Sequence, residues 1–279
     1  MLEERVKKKY PSLTNNQKRV AERFLSLGHD AAFLTVDRVA RQLKTSGATL
    51  VRFARSLGYR GYPDLQQDLR QNLLEKASPP QTLKESIEKK GGRDIYSEII
   101  EIEQQNLRSA RQLNKNEIIE LAVNEIVKAK KVGVSGFRSS SSTAYLLYIL
   151  LSDIRGDCQF LEYESGSRAS QLIHYGEGDL FICFSLPRYS QQTFANLVLV
   201  KKNKCKTIAV TDSALSPFGQ KADLVLLVGN QSSTYFNFFA SAVVLIECLV
   251  AGVSLRHKGS LANLKRVNGV LTEWEALIR

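Results

Sequence analysis

Two short stretches combine one arginine with a cluster of hydroxyls, the residue types that hold an anion. "GFRSSSSTA" runs from Gly136 to Ala144 and "SLPRYSQQT" from Ser185 to Thr193. Where such a stretch opens a helix, its hydroxyls and the free backbone N–H groups of the first turn form an anion site without any catalytic group. Arg138 and Arg188 add charge-assisted bonds. The expected ligand contacts are Gly136, Arg138, Ser139, Ser140, Ser185, Arg188, Ser190 and Thr193, and a phosphate or a carboxylate fits them. A serine run by itself also marks a linker, and any single serine can simply cap a helix. Two such stretches in one chain are harder to explain that way.

Proton transfer on a bound substrate needs a positioned general base. His174 and Glu247 are the candidates. Each has a plainer reading, His174 as a surface or packing residue and Glu247 as a cap or an interface salt bridge. No catalysis and no cofactor is expected. Cys158, Cys183, Cys205 and Cys248 lack paired metal-ligand spacing and sit in or beside apolar runs, which suits buried thiols in a reducing cytosol and gives no metal site.

A different chemistry is written near the N-terminus. Thr14-Asn15-Asn16-Gln17 has capping-box spacing, and Val20, Ala21, Phe24 and Leu25 then share a helical face until Gly28. Thr35 caps a second helix carrying Val36, Val39, Ala40 and Leu43. Ser46 caps a third, with Leu50, Phe53, Ala54 and Leu57 inward and Gly58 as its stop. Only Lys44 and Thr45 separate the last two helices. So tight a junction forces a steep crossing, with small Ala40 where the helices touch, which is the spacing of a helix-turn-helix. Its turn often holds glycine, and this chain has Lys44. If the third helix enters a major groove, Ser46, Gly47, Ala48, Thr49, Arg52 and Arg55 face the bases, and Lys44, Arg60 and Tyr62 suit the phosphate backbone. Arg52 and Arg55 can each meet guanine or phosphate. Tyr62 reads equally as a packed aromatic.

The elements that must position the two hydroxyl stretches follow Lys131. Strand-like runs at Val132 to Ser135, Gln159 to Leu161, Leu180 to Ser185, Thr207 to Thr211 and Leu224 to Val228 alternate with helical ones. This pattern predicts an α/β fold with a doubly wound, five-stranded parallel sheet. In strand order 2-1-3-4-5 the ligand crevice lies beyond the first and third strands, from which the two stretches leave. The expected domains are an all-α helix-turn-helix domain over 1–77, a linker over 78–93 that opens at Ser78-Pro79-Pro80, and the α/β domain with leading helices over 94–279.

The formal charge of +11 is uneven, +7 over residues 1–80 and +4 over the rest. The basic excess in the smaller part implies an anionic partner there, nucleic acid before membrane. Residues 235–255 are apolar enough to consider a membrane span, but Asn237, Ser241 and Glu247 favour a helix buried against the sheet. No signal core stands at the start, so a cytoplasmic protein without membrane attachment is expected.

Together "SGATLVRFARSLGYRGYPDLQQDL", "SGFRSSSSTA", "FSLPRYSQQT" and "VTDSALSPFGQKADLVL" resemble the RpiR family of bacterial transcription regulators, which join a helix-turn-helix domain to a sugar isomerase (SIS) domain. The resemblance covers nearly the whole chain. It implies a regulator, a repressor in the first instance, that binds double-stranded operator DNA as a homodimer or homotetramer and responds to a sugar phosphate or sugar acid. Two departures fall in the ligand site. The family's first loop is Gly-x-Gly-x-Ser, which puts Arg138 in the second glycine's place. Its second is Ser-x-Ser-Gly-x-Thr, matched at Ser190 and Thr193 with Arg188 and Gln191 in place of serine and glycine. SIS domains also occur in sugar-phosphate isomerases, and a helix-turn-helix can serve as a protein-interaction module, so both alternatives stand beside the regulator.

Overall fold

The structure, a computed structural model, describes residues 2–26, 34–76, 79–88, 94–161 and 167–274. The chain divides into two compact units, Met1–Lys90 and Gly91–Arg279.

The first unit is all helix: α1 (Leu2–Lys9), a 3-10 turn (Tyr10–Ser12), α2 (Asn15–Ser26), α3 (Val36–Gln42), α4 (Gly47–Ser56), α5 (Tyr62–Lys76) and α6 (Pro79–Glu88). The helix expected first is the second, because α1 is charged along nearly its whole length and shows no apolar period. Val6 anchors it in the core. The capping box of α2 forms: Thr14 N donates to Gln17 Oε1 at 3.0 Å and Gln17 N to Thr14 Oγ1 at 3.4 Å. Gly28, its expected stop, lies outside the described residues. Thr35 occupies the N-cap of α3 without a side-chain bond, whereas Ser46 Oγ accepts from Thr49 N at 3.2 Å and caps α4 fully.

Both of these helices end in the same device. After α3, Thr45 N donates to Ala40 O at 2.8 Å and Lys44 N to Arg41 O at 3.2 Å, around a left-handed Lys44 (φ +52°). After α4, Tyr59 N donates to Ala54 O and Gly58 N to Arg55 O around Gly58 (φ +93°). These are Schellman ends. A glycine adopts that φ freely, whereas Lys44 carries about 1–2 kcal/mol of steric strain to make the same turn. The turn is held because Val39, Ala40, Leu43, Leu50, Phe53 and Ala54 close one core around it, with Phe24 and Phe53 rings 5.9 Å apart. The proline pair expected to break helical structure instead begins α6, since proline is tolerated in a helix's first turn. The expected linker is therefore helical over 79–88.

In the second unit, α7 (Ile95–Leu113) and α8 (Asn116–Lys128) precede β1 (Val132–Gly136), α9 (Ser140–Arg155), β2 (Cys158–Phe160), α10 (Ser167–Leu172), β3 (Leu180–Phe184), α11 (Gln191–Lys202), β4 (Lys206–Thr211), α12 (Pro217–Lys221), β5 (Leu224–Leu227), α13 (Ala240–Ser254) and α14 (Ser260–Glu273). The sheet is parallel throughout, in order β2-β1-β3-β4-β5. Successive strand residues face opposite sides, so each strand feeds two cores. Val132, Val134, Leu180, Ile182, Ile208 and Val210 meet α8, α9 and α13, while Phe181, Cys183 and Ala209 meet Leu197, Val200 and Phe218 of α11 and α12. With helices on both faces, β1 and β3 are buried along their whole length.

The apolar run 235–255 is not one helix. It becomes helical only at Ala240, and Tyr235 and Phe236 are 47% and 43% exposed. Among the described residues no helix is long and apolar enough to cross a membrane. Cys183 and Cys205 are buried and Cys158 half-buried, but Cys248 is exposed on α13, contrary to the expectation for all four. Burial pushes the Cys158 and Cys205 thiols up to about 12, so neither is a ready nucleophile.

Candidate functional site

Gly136 and Phe184, the last residues of β1 and β3, pair in register at the point where strand order reverses. The chain leaves both strands at the same edge. One cleft there is lined by Phe137, Arg138, Ser139 and Ser140 from the first loop, by Ser185, Leu186, Pro187, Arg188 and Ser190 from the second, and by Asn237. Six of the eight expected contacts thus come together. The other two stand behind the lining. A Cβ on Gly136 would lie 2.4 Å from Ser140 O, so the strand end runs against the first turn of α9 and only glycine fits. Thr193 is 1% exposed; its N–H donates to Ser190 Oγ at 3.2 Å, and its own Oγ1 is buried without a partner.

The two loops are alike in backbone. Arg138 (φ +54°) and Arg188 (φ +66°) are both left-handed, a conformation that favours glycine. Strain of this kind persists only where the surroundings fix it, and it concentrates at ligand clamps. At Arg138 it falls on the residue that replaces the pattern's second glycine. Ser139 holds the N-cap of α9 with no side-chain bond to the helix, so its hydroxyl is not used as a cap. Ser190 Oγ caps α11, and Ser185 Oγ accepts from Ser190 N at 3.3 Å. Both hydroxyls act as acceptors there, which leaves their protons to donate to an anion. Among the described residues no carboxylate or imidazole lines the cleft.

Between Arg188 and Ser190, Tyr189 points the other way and anchors the loop. Its hydroxyl donates to Asp212 Oδ1 at 2.9 Å and its ring lies 6.1 Å from that of Phe218. Burial raises the Asp212 carboxyl above the ordinary carboxylate range, against the lowering effect of the Tyr189 bond. A carboxyl whose folded pKa is raised favours the fold while protonated and loses that contribution as pH climbs through the window above its unfolded value. Asp212→Asn keeps an acceptor for Tyr189 and removes the charge, so its melting temperature is expected to match or exceed the native one at neutral pH and to vary less with pH. Tyr189→Phe removes one buried donor from Asp212, which keeps its bond from Thr211 Oγ1 at 3.1 Å, and is expected to cost about 0.5–1.5 kcal/mol, read by denaturant unfolding.

On the first unit, Lys44, Ser46, Ala48, Arg52, Arg55 and Arg60 are exposed and Gly47 and Thr49 half-exposed along one side of the α3–α4 turn and α4. Tyr62 is the exception and corrects its place among the backbone contacts. It is 3% exposed and meets Phe24 edge-on, with centroids 6.4 Å apart. Arg60 is already engaged by Asp64, 3.6 Å away, and Arg55 Nε donates to Arg60 O at 3.4 Å.

The two candidate bases are elsewhere. Lys131, directly before β1, donates from Nζ to His174 O at 2.7 Å, which puts exposed His174 at the amino end of the sheet, opposite the cleft. Glu247 lies on the exposed face of α13. Among the described residues no group of histidine, cysteine and carboxylate side chains is placed to hold a metal. The contact that sequence reasoning missed is Asn237. Its signal was position: the segment after β5 leaves the same sheet edge as the two hydroxyl loops.

Comparison with known proteins adds an independent line. Residues 1–76 match the helix-turn-helix domain of the rpiR family, and residues 125–251 match the SIS domain. The HTH-type transcriptional regulator HexR of Escherichia coli is 24% identical over 97% of this chain and 94% of its own length. Among solved structures, the sugar isomerase domain of an RpiR transcription factor from Sphaerobacter thermophilus is 25% identical with a TM-score of 0.61, over 63% of this chain and 99% of that one. The NanR protein of Vibrio vulnificus, complexed with ManNAc-6P, is 20% identical with a TM-score of 0.68, over 98% of this chain and 99% of that one.

Proposed function

The chain belongs to the RpiR family of helix-turn-helix transcription regulators, and from that premise we propose that its SIS domain binds a phosphorylated sugar, or a related sugar acid, whose occupancy alters operator binding. One observation supports this above the others: a cleft at the strand-order switch point is lined by Arg138, Arg188 and serine hydroxyls. Such a site holds an anion, and the helix-turn-helix domain that precedes it supports a sensor over an isomerase. The complex of NanR with ManNAc-6P points to the same ligand class. On DNA, Arg52 and Arg55 meet the major groove with Ser46, Gly47, Ala48 and Thr49, and Lys44 and Arg60 hold phosphates. The protein works as a cytoplasmic repressor, as a homodimer or homotetramer on duplex DNA.

Two measurements test this reading. A thermal-shift screen of sugar phosphates and sugar acids, followed by operator titrations with the hits, is expected to find an anion that both raises the melting temperature and changes operator affinity; neutral sugars should do neither. Operator affinity itself, on a site selected from random duplexes, is expected to fall by about a hundredfold or more between 50 and 200 mM salt, as counterion release by several phosphate contacts requires. A shallow slope with no sequence preference would make the first unit a protein-interaction module instead.

A further inference from the structure

Asn237 reaches the cleft from residues 228–239, between β5 and α13; the root of this segment is fixed by Val228 N to Thr211 O at 2.9 Å and by Ser241 Oγ to Gly229 O at 2.5 Å, and beyond it the segment is tied both to the cleft and to α7. Towards the cleft, Arg188 Nη2 donates to Tyr235 O and Asn237 Nδ2 to Pro187 O, each at 3.4 Å. Towards α7 the bonds are closer. Gln231 N donates to Asn106 Oδ1 at 2.9 Å, and Asn106 Nδ2 donates back to Gln231 O at 2.9 Å. Glu103 adds two more, accepting from Asn106 Nδ2 at 3.0 Å and from Ala240 N at 3.2 Å. Asn114 holds the end of β5 in the same manner, through Leu227 N at 2.8 Å and Leu227 O at 2.5 Å. A Cβ on Gly229 would lie 2.5 Å from Asn106 O, so helix and segment touch backbone to backbone.

The two grips differ in strength. Asn106 is 1% exposed and uses both its donor and its acceptor on the segment. A buried polar pair of this kind resists separation, because parting strands both sides without water. The cleft-side bonds are long, and Arg188 is given a neutral carbonyl where a bound anion would offer a charge-assisted bond about twice as strong. A shift of the segment therefore leaves the cleft easily and takes α7 with it. In sequence, α7 is the first described helix after the DNA-binding unit.

We propose that residues 228–239 are the third wall of the effector site and its transmitter: a bound anion draws Arg188 off the Tyr235 carbonyl, the segment resettles, and its ties to Asn106, with that of the adjoining Ala240 to Glu103, carry the change into α7. This rests on the anion reading of the cleft, but its first test does not need a ligand. Amide hydrogen exchange of the free full-length protein is compared for the native chain, Arg188→Ala and Arg138→Ala. Arg188→Ala is expected to speed exchange about threefold or more both in residues 229–240 and in residues 103–114, and Arg138→Ala, whose arginine has no bond to the segment, to change neither. The proposal is overturned if Arg188→Ala leaves α7 unaltered, or if Arg138→Ala has the same effect. Inorganic phosphate added to the native chain, against chloride at equal ionic strength, is expected to reproduce the Arg188→Ala pattern. Phosphate without effect, beside an Arg188→Ala variant that responds as expected, would overturn the anion reading of the cleft while leaving the segment's link to α7 established.

Discussion

The double variant Arg138→Ala with Arg188→Ala is expected to raise the effector concentration needed for half-maximal change in operator binding by about 10²–10⁴-fold, since each charge-assisted bond contributes about 1.5–3 kcal/mol. Each arginine comes from a different loop, so the single variants should each show a smaller shift. The left-handed backbone allows charge to be separated from strain. Arg138→Gly removes the same guanidinium as Arg138→Ala but relaxes φ at that position, so both should lose the same effector affinity while the glycine variant folds more stably by about 1 kcal/mol. Calorimetric titration with a hit from the metabolite screen reads the first quantity and denaturant unfolding the second. If the dose curve of the double variant overlies that of the native chain, the effector does not bind between these loops.

The cleft was legible in the sequence because doubly wound sheets tie position to order. Once five apolar strands were recognised, Arg138 and Arg188 were committed to neighbouring loops at one edge, and the observed order β2-β1-β3-β4-β5 brings them there. The segment that carries Asn237 was hidden for a related reason. Its aromatics, Tyr235, Phe236, Phe238 and Phe239, read as the start of the apolar helix that follows, because hydropathy does not distinguish a loop packed over a sheet edge from a helix packed under it. His174 was ambiguous because a residue between two strands can belong to either end of the sheet, and only the bond from Lys131 places it at the amino end. Tyr62 illustrates the limit for amphipathic side chains: one residue type serves as a phosphate contact or a core ring, and the deciding contact, Phe24, lies 38 positions away. In α1 the buried Val6 stands within a run of charged residues, which shows no apolar period.

Arg52 and Phe53 are adjacent on α4, and the helix turns one outward and the other, 1% exposed, into the core against Phe24. Substitutions at the two positions are therefore expected to fail in different ways. Phe53→Ala deletes a buried ring at the junction of α2, α3 and α4 and is expected to lose about 3–5 kcal/mol of stability, with operator binding lost through unfolding of the first unit. Arg52→Ala removes nothing from the core. It is expected to leave the melting temperature unchanged and to weaken operator binding by about 1–3 kcal/mol, in line with a bidentate contact to one base. The discriminating measurement is the same titration on a random duplex. A base contact is lost only on the operator, so the preference for operator over random DNA shrinks by the same factor as the affinity. A phosphate contact is lost on both, leaving the preference intact and making the salt slope shallower by about one. If Arg52→Ala changes affinity on neither duplex, α4 does not present this side to DNA, and the exposed row from Lys44 to Arg55 must be given another partner.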